Sequence, residues 1–163
     1  MQIGMFRVPI PNYEKNAFRE GFVNALVYKD YFRVGAVQMQ LQKAALSISS
    51  PGSFGEGTSP DNILTALPTS RNVLLAEAAK RIGLAERTGR GIDKIYTVML
   101  RSGHAIPDYS ISTNTSVVLR LNSAELDESY IKMVIPEEKQ LQKAMPLDAL
   151  IVLSVLKTER RLP

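Results

Sequence analysis

The chain has 163 residues, 45% hydrophobic and 22% charged, with a formal net charge of +4 and no cysteine. That suffices for one ordinary domain with a core of its own and a small appendage, and it excludes disulfides and thiolate metal sites. No apolar run reaches the length of a membrane span, MQIGMFRVPIPNY lacks signal-peptide architecture, and the mild basic balance permits a nucleic-acid partner without arguing for one.

Absence of cysteine fits a reducing, cytoplasmic compartment. Both ends are expected to continue into a longer protein: the chain opens on the extended strip VPIPNY and closes on KTERRLP directly after an apolar helix.

A first helix is predicted from Tyr13 or Lys15 to Lys29. Phe18, Phe22 and Leu26 recur at the spacing that stacks side chains on one helical face, and Val23 with Val27 marks a second. Glu20 and Asn24, also four apart, share a line between those faces. An Asn oxygen is a suitable hard ligand for Mg²⁺, and a carboxylate one turn away could orient or deprotonate a water. The alternative is structural: Asn24 caps a backbone group, and Glu20 pairs with Arg19 or a lysine.

After the turn KDYFRVG, the alternation over Ala36 to Gln42 predicts a strand, and Ala44 to Ser49 its hairpin partner, turning near Lys43. Ser49 to Asn62, rich in Ser, Gly and Pro, is a loop starting at a strand end, either a ligand site or plain surface. A second helix spans Thr69 to Leu84, with Ser70 as N-cap, Leu75, Ala79 and Ile82 as its buried stripe, and Gly83 as a left-handed stop. In TGRGIDKI, two glycines run into the N-terminus of a third helix, Ile92 to Ser102. Such a turn offers bare N–H groups and the positive end of the dipole to an anion, or is simply a tight turn.

That helix faces Ile92, Ile95, Tyr96 and Met99 inward and ends at Gly103. His104, the single histidine, is expected to be exposed in a loop, and alone it permits no His-based triad or multi-His metal site. Thr115 to Leu121 reads as another strand. Asn122 onward is polar and broken by Pro136 and Pro146, hence a connector, and Leu147 to Arg161 is a fresh apolar helix. Helix, hairpin, two helices and a strand make an α+β pattern. No G-x-x-x-x-G-K-[ST] loop exists, which removes a P-loop motor from this chain.

REGFVNALVYKDY, a hairpin ending in PG, and SRNVLLAEAAKRIGLAERTGRGIDKI follow one another in an order that resembles one family. It is the GHKL-like, HATPase-type domain called RecG-related C-terminal, which follows a Schlafen/AlbA-type DNA-binding domain in bacterial and archaeal transcriptional regulators. The resemblance covers Val8 to Leu121. It implies a Bergerat-like two-layer α+β sandwich, with helices on one face of a mixed β-sheet. Residues 1–122 would form this domain, 123–146 a linker, and 147–163 the first helix of a truncated winged-helix domain.

ATP and Mg²⁺ are the implied cofactors. Glu20 matches the water-activating glutamate and Asn24 the Mg²⁺-binding asparagine. Ser50 and Gly52, either side of Pro51, match the strand end where the adenine amino group is recognised. Thr88, Gly89, Arg90 and Gly91 match the turn near the phosphates. Arg71 and Asn72 match an Arg-Asn pair with no implied role. Two departures stand out: Tyr28, Lys29, Asp30 and Tyr31 replace His-Arg-Asp-Tyr, and the short Ser50 hydroxyl reaches adenine only through water. The implied function is an ATP-binding regulatory module, with weak ATPase activity, that biases how flanking DNA-binding domains are arranged. Two other readings stand beside it: a nucleotide-free scaffold or homodimerising domain, and a direct DNA-contact surface using Lys29, Arg33, Arg87, Arg90 and the basic tail. No membrane partner is implied.

Overall fold

The computed structural model describes residues 2–3, 6–7, 14–67, 70–85, 90–122 and 126–159. Its first helix, α1 (Lys15–Val27), follows a short antiparallel pair, β1 (Gln2–Ile3) and β2 (Phe6–Arg7). The deeply buried line of α1 is Ala17, Glu20, Gly21, Val23 and Val27, whereas Phe18, Phe22 and Leu26 are only half-buried. Small residues explain the inversion. A Cβ on Gly21 would stand 2.5 Å from Leu119 Cδ2, so α1 lies against the sheet on its least bulky strip. Phe18 and Phe22 stack beside that strip with ring centroids 6.2 Å apart.

That sheet has the order β3 (Gln38–Leu41), β4 (Ala45–Pro51), β5 (Ser116–Asn122). Its described strands all pair antiparallel, where a mixed sheet was expected. The hairpin turns over Lys43 and Ala44, as predicted, and is closed by the Gln42 N–H donating to the Ala45 carbonyl at 2.8 Å. Period-two alternation sends Leu46 and Ile48 to one face, opposite Leu121 and Leu119 respectively, and all four are buried. All four positions of β3 are exposed, since the helices stop short of it.

Two further helices complete the helical layer: α2 (Val73–Arg81) and α3 (Gly91–Arg101). Ile95, Tyr96 and Met99 of α3 enter the main core with Ala17, Leu46 and Leu119, as their spacing requires, and Ile92 packs at its edge. The predicted stripe of α2 needs correction. Ala76 and Ala79 are buried against Val23 and Val27, but Ile82 is 70% exposed and Leu75 also faces out. Close approach to α1 admits alanine and turns the larger side chains outward. The predicted N-cap Ser70 also gives way, because Asn72 occupies that position without a side-chain cap. Gly83 is left-handed, at φ +73°, and stops the helix as expected.

Segment 123–146 differs most from expectation. It holds a helix, α4 (Glu128–Leu141), with Pro136 inside it. The Asp127 carboxylate caps it by accepting from the Tyr130 N–H at 2.9 Å. Proline removes one helical hydrogen bond, but Pro136 lies on the exposed side while Tyr130, Ile131 and Val134 are buried opposite. Packing therefore carries the helix past its breaker. Tyr130, Val134, Leu100 of α3 and Leu150 of α5 (Leu147–Glu159) form a second cluster, and the Tyr130 hydroxyl donates to the Leu150 carbonyl at 3.0 Å.

His104 is buried, not exposed. Gly103, left-handed at φ +73°, turns the chain under α4, where a Cβ would stand 2.5 Å from Ile131 Cγ1, and this carries His104 inward. Among the described residues no helix is long and apolar enough to cross a membrane. The architecture is α+β: helices layered on one face of an antiparallel sheet, with α4 and α5 packed on the end of α3.

Candidate functional site

Between α1, α2, the start of α3 and the end of β4 lies a cavity of about 220 Å³. Glu20, Asn24, Ser50 and Gly91 line it together, although the sequence separates the first from the last by 71 positions. Ile48, Leu119, Phe54 and Ile92 make the apolar part of its wall.

α1 supplies the polar line. Glu20 is only 2% exposed, and its Oε2 lies 3.9 Å from Lys94 Nζ of α3. Asn24 follows one turn later. Gly91 is required here by space: a Cβ on it would meet Glu20 Oε1 at 2.5 Å and Asn24 Nδ2 at 3.3 Å. Any side chain would push into the carboxylate, so glycine brings the first turn of α3 onto the Glu20–Asn24 line. The N–H groups of that turn have no acceptor within the helix and carry the positive end of its dipole.

Ser50 is buried, and its hydroxyl donates to the Ala25 carbonyl at 2.7 Å. Its proton is thereby used by α1, which leaves oxygen lone pairs for a donor in the cavity. Gly52 does not line the cavity. Its φ of +128° and its approach to Asp30, 3.1 Å from a Cβ to the Asp30 Cβ, make it the turn that brings the chain off β4. Arg90 is exposed at the N-cap of α3 and also lies off the cavity wall. Thr88, Gly89 and Arg87 lie outside the described residues.

The Arg71–Asn72 pair, left without a role by the sequence, takes part here, as do two side chains that sequence reasoning passed over, Lys80 and Tyr109. Arg71 lines the cavity, forms an ion pair with Asp30 at 3.1 Å and donates to the Ser53 carbonyl. Asn72 donates to the carbonyls of Val27 and Lys29, both at 2.8 Å, and so caps the C-terminal end of α1. The Arg-Asn pair thus locks α2 to the end of α1. Lys80 of α2 also lines the cavity. Tyr109 closes the floor edge-on to Phe54, with centroids 6.0 Å apart. Burial, and then the neighbouring Tyr96, pushes its phenol far above the usual range, so it is a neutral donor. Only the charge of Lys80 was readable in sequence, since its place on the wall depends on how α2 packs.

Lys29 and Arg33, candidates for direct DNA contact, are both engaged. Lys29 is buried with its ammonium 4.6 Å from the Tyr31 ring, and Arg33 pairs with Asp30 at 3.2 Å.

Does this site fit Mg²⁺ and a nucleotide? Among the described residues no group of three or more His, Cys, Asp or Glu could hold a metal. A protein-only cage is thus absent there. An Asn oxygen beside a carboxylate suits a Mg²⁺ ion that takes its remaining ligands from phosphates and water. The notch that glycine leaves at Gly91 opens toward these two side chains. The residues fit.

No curated protein matches the chain. Among solved structures, the DIP2311 protein from Corynebacterium diphtheriae matches with a TM-score of 0.74 at 23% identity, over 95% of this chain and 32% of that one. At that identity the likeness shows the fold alone, and this chain spans 32% of that protein's length. The family described as "Putative ATP-dependent DNA helicase recG C-terminal" matches residues 35–121, which is 87 of the 163. This HATPase-type, RecG-related C-terminal family is the one to which the chain belongs.

Proposed function

We propose that the chain is a nucleotide-binding module that takes ATP with Mg²⁺ and serves a regulator acting on DNA. One observation carries this reading: Glu20, Asn24, Ser50 and Gly91 line a single cavity. Asn24 would offer its amide oxygen to the metal, which when bound withdraws charge from phosphate oxygens. Glu20, held at the cavity wall opposite Lys94, would orient a water or accept its proton. The first-turn N–H groups of α3 face the phosphate end, with Thr88, Gly89 and Arg90 leading into them. Ser50, its hydroxyl donating to the Ala25 carbonyl, can accept from a base amino group through a bridging water. A volume of about 220 Å³ is below the roughly 300–1,000 Å³ of drug-sized sites. It suits the base, with phosphates toward the opening.

The DNA-regulating role rests on the family alone. DNA would be reached through flanking domains. Within that reading α5 is the first helix of a winged-helix domain, supported by the exposed apolar Val152, Val155 and Leu156 along it. A second reading is a scaffold or homodimerising domain without nucleotide. It is favoured by Glu20 already having an ammonium partner in Lys94.

Titration of the purified chain with a fluorescent ATP analogue and Mg²⁺ separates the two. Saturable binding, weakened tenfold or more by Asn24→Ala, is the expected result. No binding at millimolar nucleotide, or binding indifferent to Asn24, leaves the scaffold.

A further inference from the structure

Among the described residues two cations line the cavity, Arg71 and Lys80, and they are not equivalent. The Arg71 guanidinium is committed to Asp30 and to the Ser53 carbonyl. No hydrogen bond or ion pair among the described residues engages the Lys80 ammonium, and Lys80 is half-buried.

Two contacts fix where the Lys80 turn of α2 lies along α1. At one end of α2, Asn72 bonds to the carbonyls of Val27 and Lys29; beyond its other end, the Gly83 carbonyl accepts from Arg19 Nη2 at 2.8 Å. The two helices therefore run antiparallel, and Lys80, three residues before Gly83, is level with the Glu20–Asn24 turn. Asn72 and Lys80 are separated by about 12 Å of helix rise. The cavity is thus polarised along its length. Ser50 and the committed Arg71 stand near the α1 C-terminus, and the uncommitted Lys80 lines the same cavity at the level of the Glu20–Asn24 turn.

We propose that Lys80 is the phosphate-binding cation of this cavity and makes it select a nucleoside polyphosphate over the bare nucleoside. The inference rests on the nucleotide reading above and assigns it a direction, base toward Ser50 and phosphates toward Lys80. Charge arithmetic supports it. A buried carboxylate at Glu20 repels a polyphosphate, and Lys94 lies opposite that carboxylate already. A further cation at the same level offsets the repulsion, and among the described residues Lys80 is the one lining the wall there. A compact ammonium on a flexible stem suits a phosphate as a point charge.

Calorimetric titrations of Mg²⁺-ATP, with adenosine competed against a fluorescent ATP analogue, test this on the unaltered chain, Lys80→Met and Lys80→Arg. One charge-assisted contact predicts that Lys80→Met weakens ATP about 10- to 100-fold, leaves adenosine unchanged and flattens the salt dependence of ATP binding. Lys80→Arg should retain most ATP affinity. ATP and adenosine weakening together, or ATP affinity and its salt slope both unchanged in Lys80→Met, overturns the role of Lys80 while the nucleotide site stands. Failure of the unaltered chain to bind ATP overturns both.

Discussion

Single residues here show why side-chain type matters less than what surrounds it. Glu20 and Asn24 were legible as a pair because their spacing is a local property of a helix. Gly91 was legible only as one glycine of two, and its function is to leave room for the Glu20 carboxylate, 2.5 Å from where a Cβ would be. Asn72 had no readable role, since its two acceptors, Val27 and Lys29, lie 45 and 43 positions away. Asn72→Ala removes both bonds and leaves the carbonyls at the end of α1 uncapped. It should cost about 1–3 kcal/mol in urea unfolding. Asn72→Asp should not restore the loss, because a carboxylate cannot donate to carbonyls.

Helices and strands were foreseen where a clear period repeats. α1, α3 and the β3–β4 hairpin fall within a few residues of expectation, because periodicity reports which face is apolar. α2 was placed correctly but turned wrongly, since its apolar residues outnumber the positions α1 can accept, and alanine won for size. α4 was missed because Pro136 and a polar composition mask three buried residues, Tyr130, Ile131 and Val134. Its N-cap offers a pH test. Burial pushes the Asp127 carboxyl up, but hydrogen bonds from Lys157, the Tyr130 N–H and Ser129 outweigh this and hold it at about 2. A carboxylate held below its unfolded value of about 3.9 stabilises the fold above that value. The contribution is then lost as pH falls from about 4 towards 2. We expect at most about 2 kcal/mol of acid loss from this group. Asp127→Asn should flatten that limb when unfolding free energies at pH 6, 4 and 2.5 are compared. An acid limb unchanged by the substitution would remove Asp127 as its source.

Over the whole molecule, α3 connects two regions. Its first turn touches the Glu20–Asn24 line, and its last turn packs through Leu100 into the cluster with Tyr130, Val134 and Leu150. Arg101 and Glu138 add an ion pair at 2.6 Å between α3 and α4. The C-terminal helix pair should therefore unfold together with the α+β layer. Leu150→Ala, in a fully buried position, should cost about 2–5 kcal/mol and leave a single transition. Two separated transitions, with only the later one unaffected by Leu150→Ala, would show instead that α4 and α5 fold independently.

By itself the sequence determined α1, α2, α3, α5, the β3–β4 hairpin and β5, and the line of Glu20 and Asn24, because these depend on backbone periods a few residues long. It also pointed to the family through the order of its motifs. Only the tertiary structure decided that α1 buries its small residues and its carboxylate, that α2 turns Lys80 toward the cavity, that Arg71 and Asn72 lock α2 to the end of α1, and that a proline-containing segment is a packed helix. Each of those outcomes is settled by contacts between residues far apart in the chain. There close packing and hydrogen-bond satisfaction override local preference.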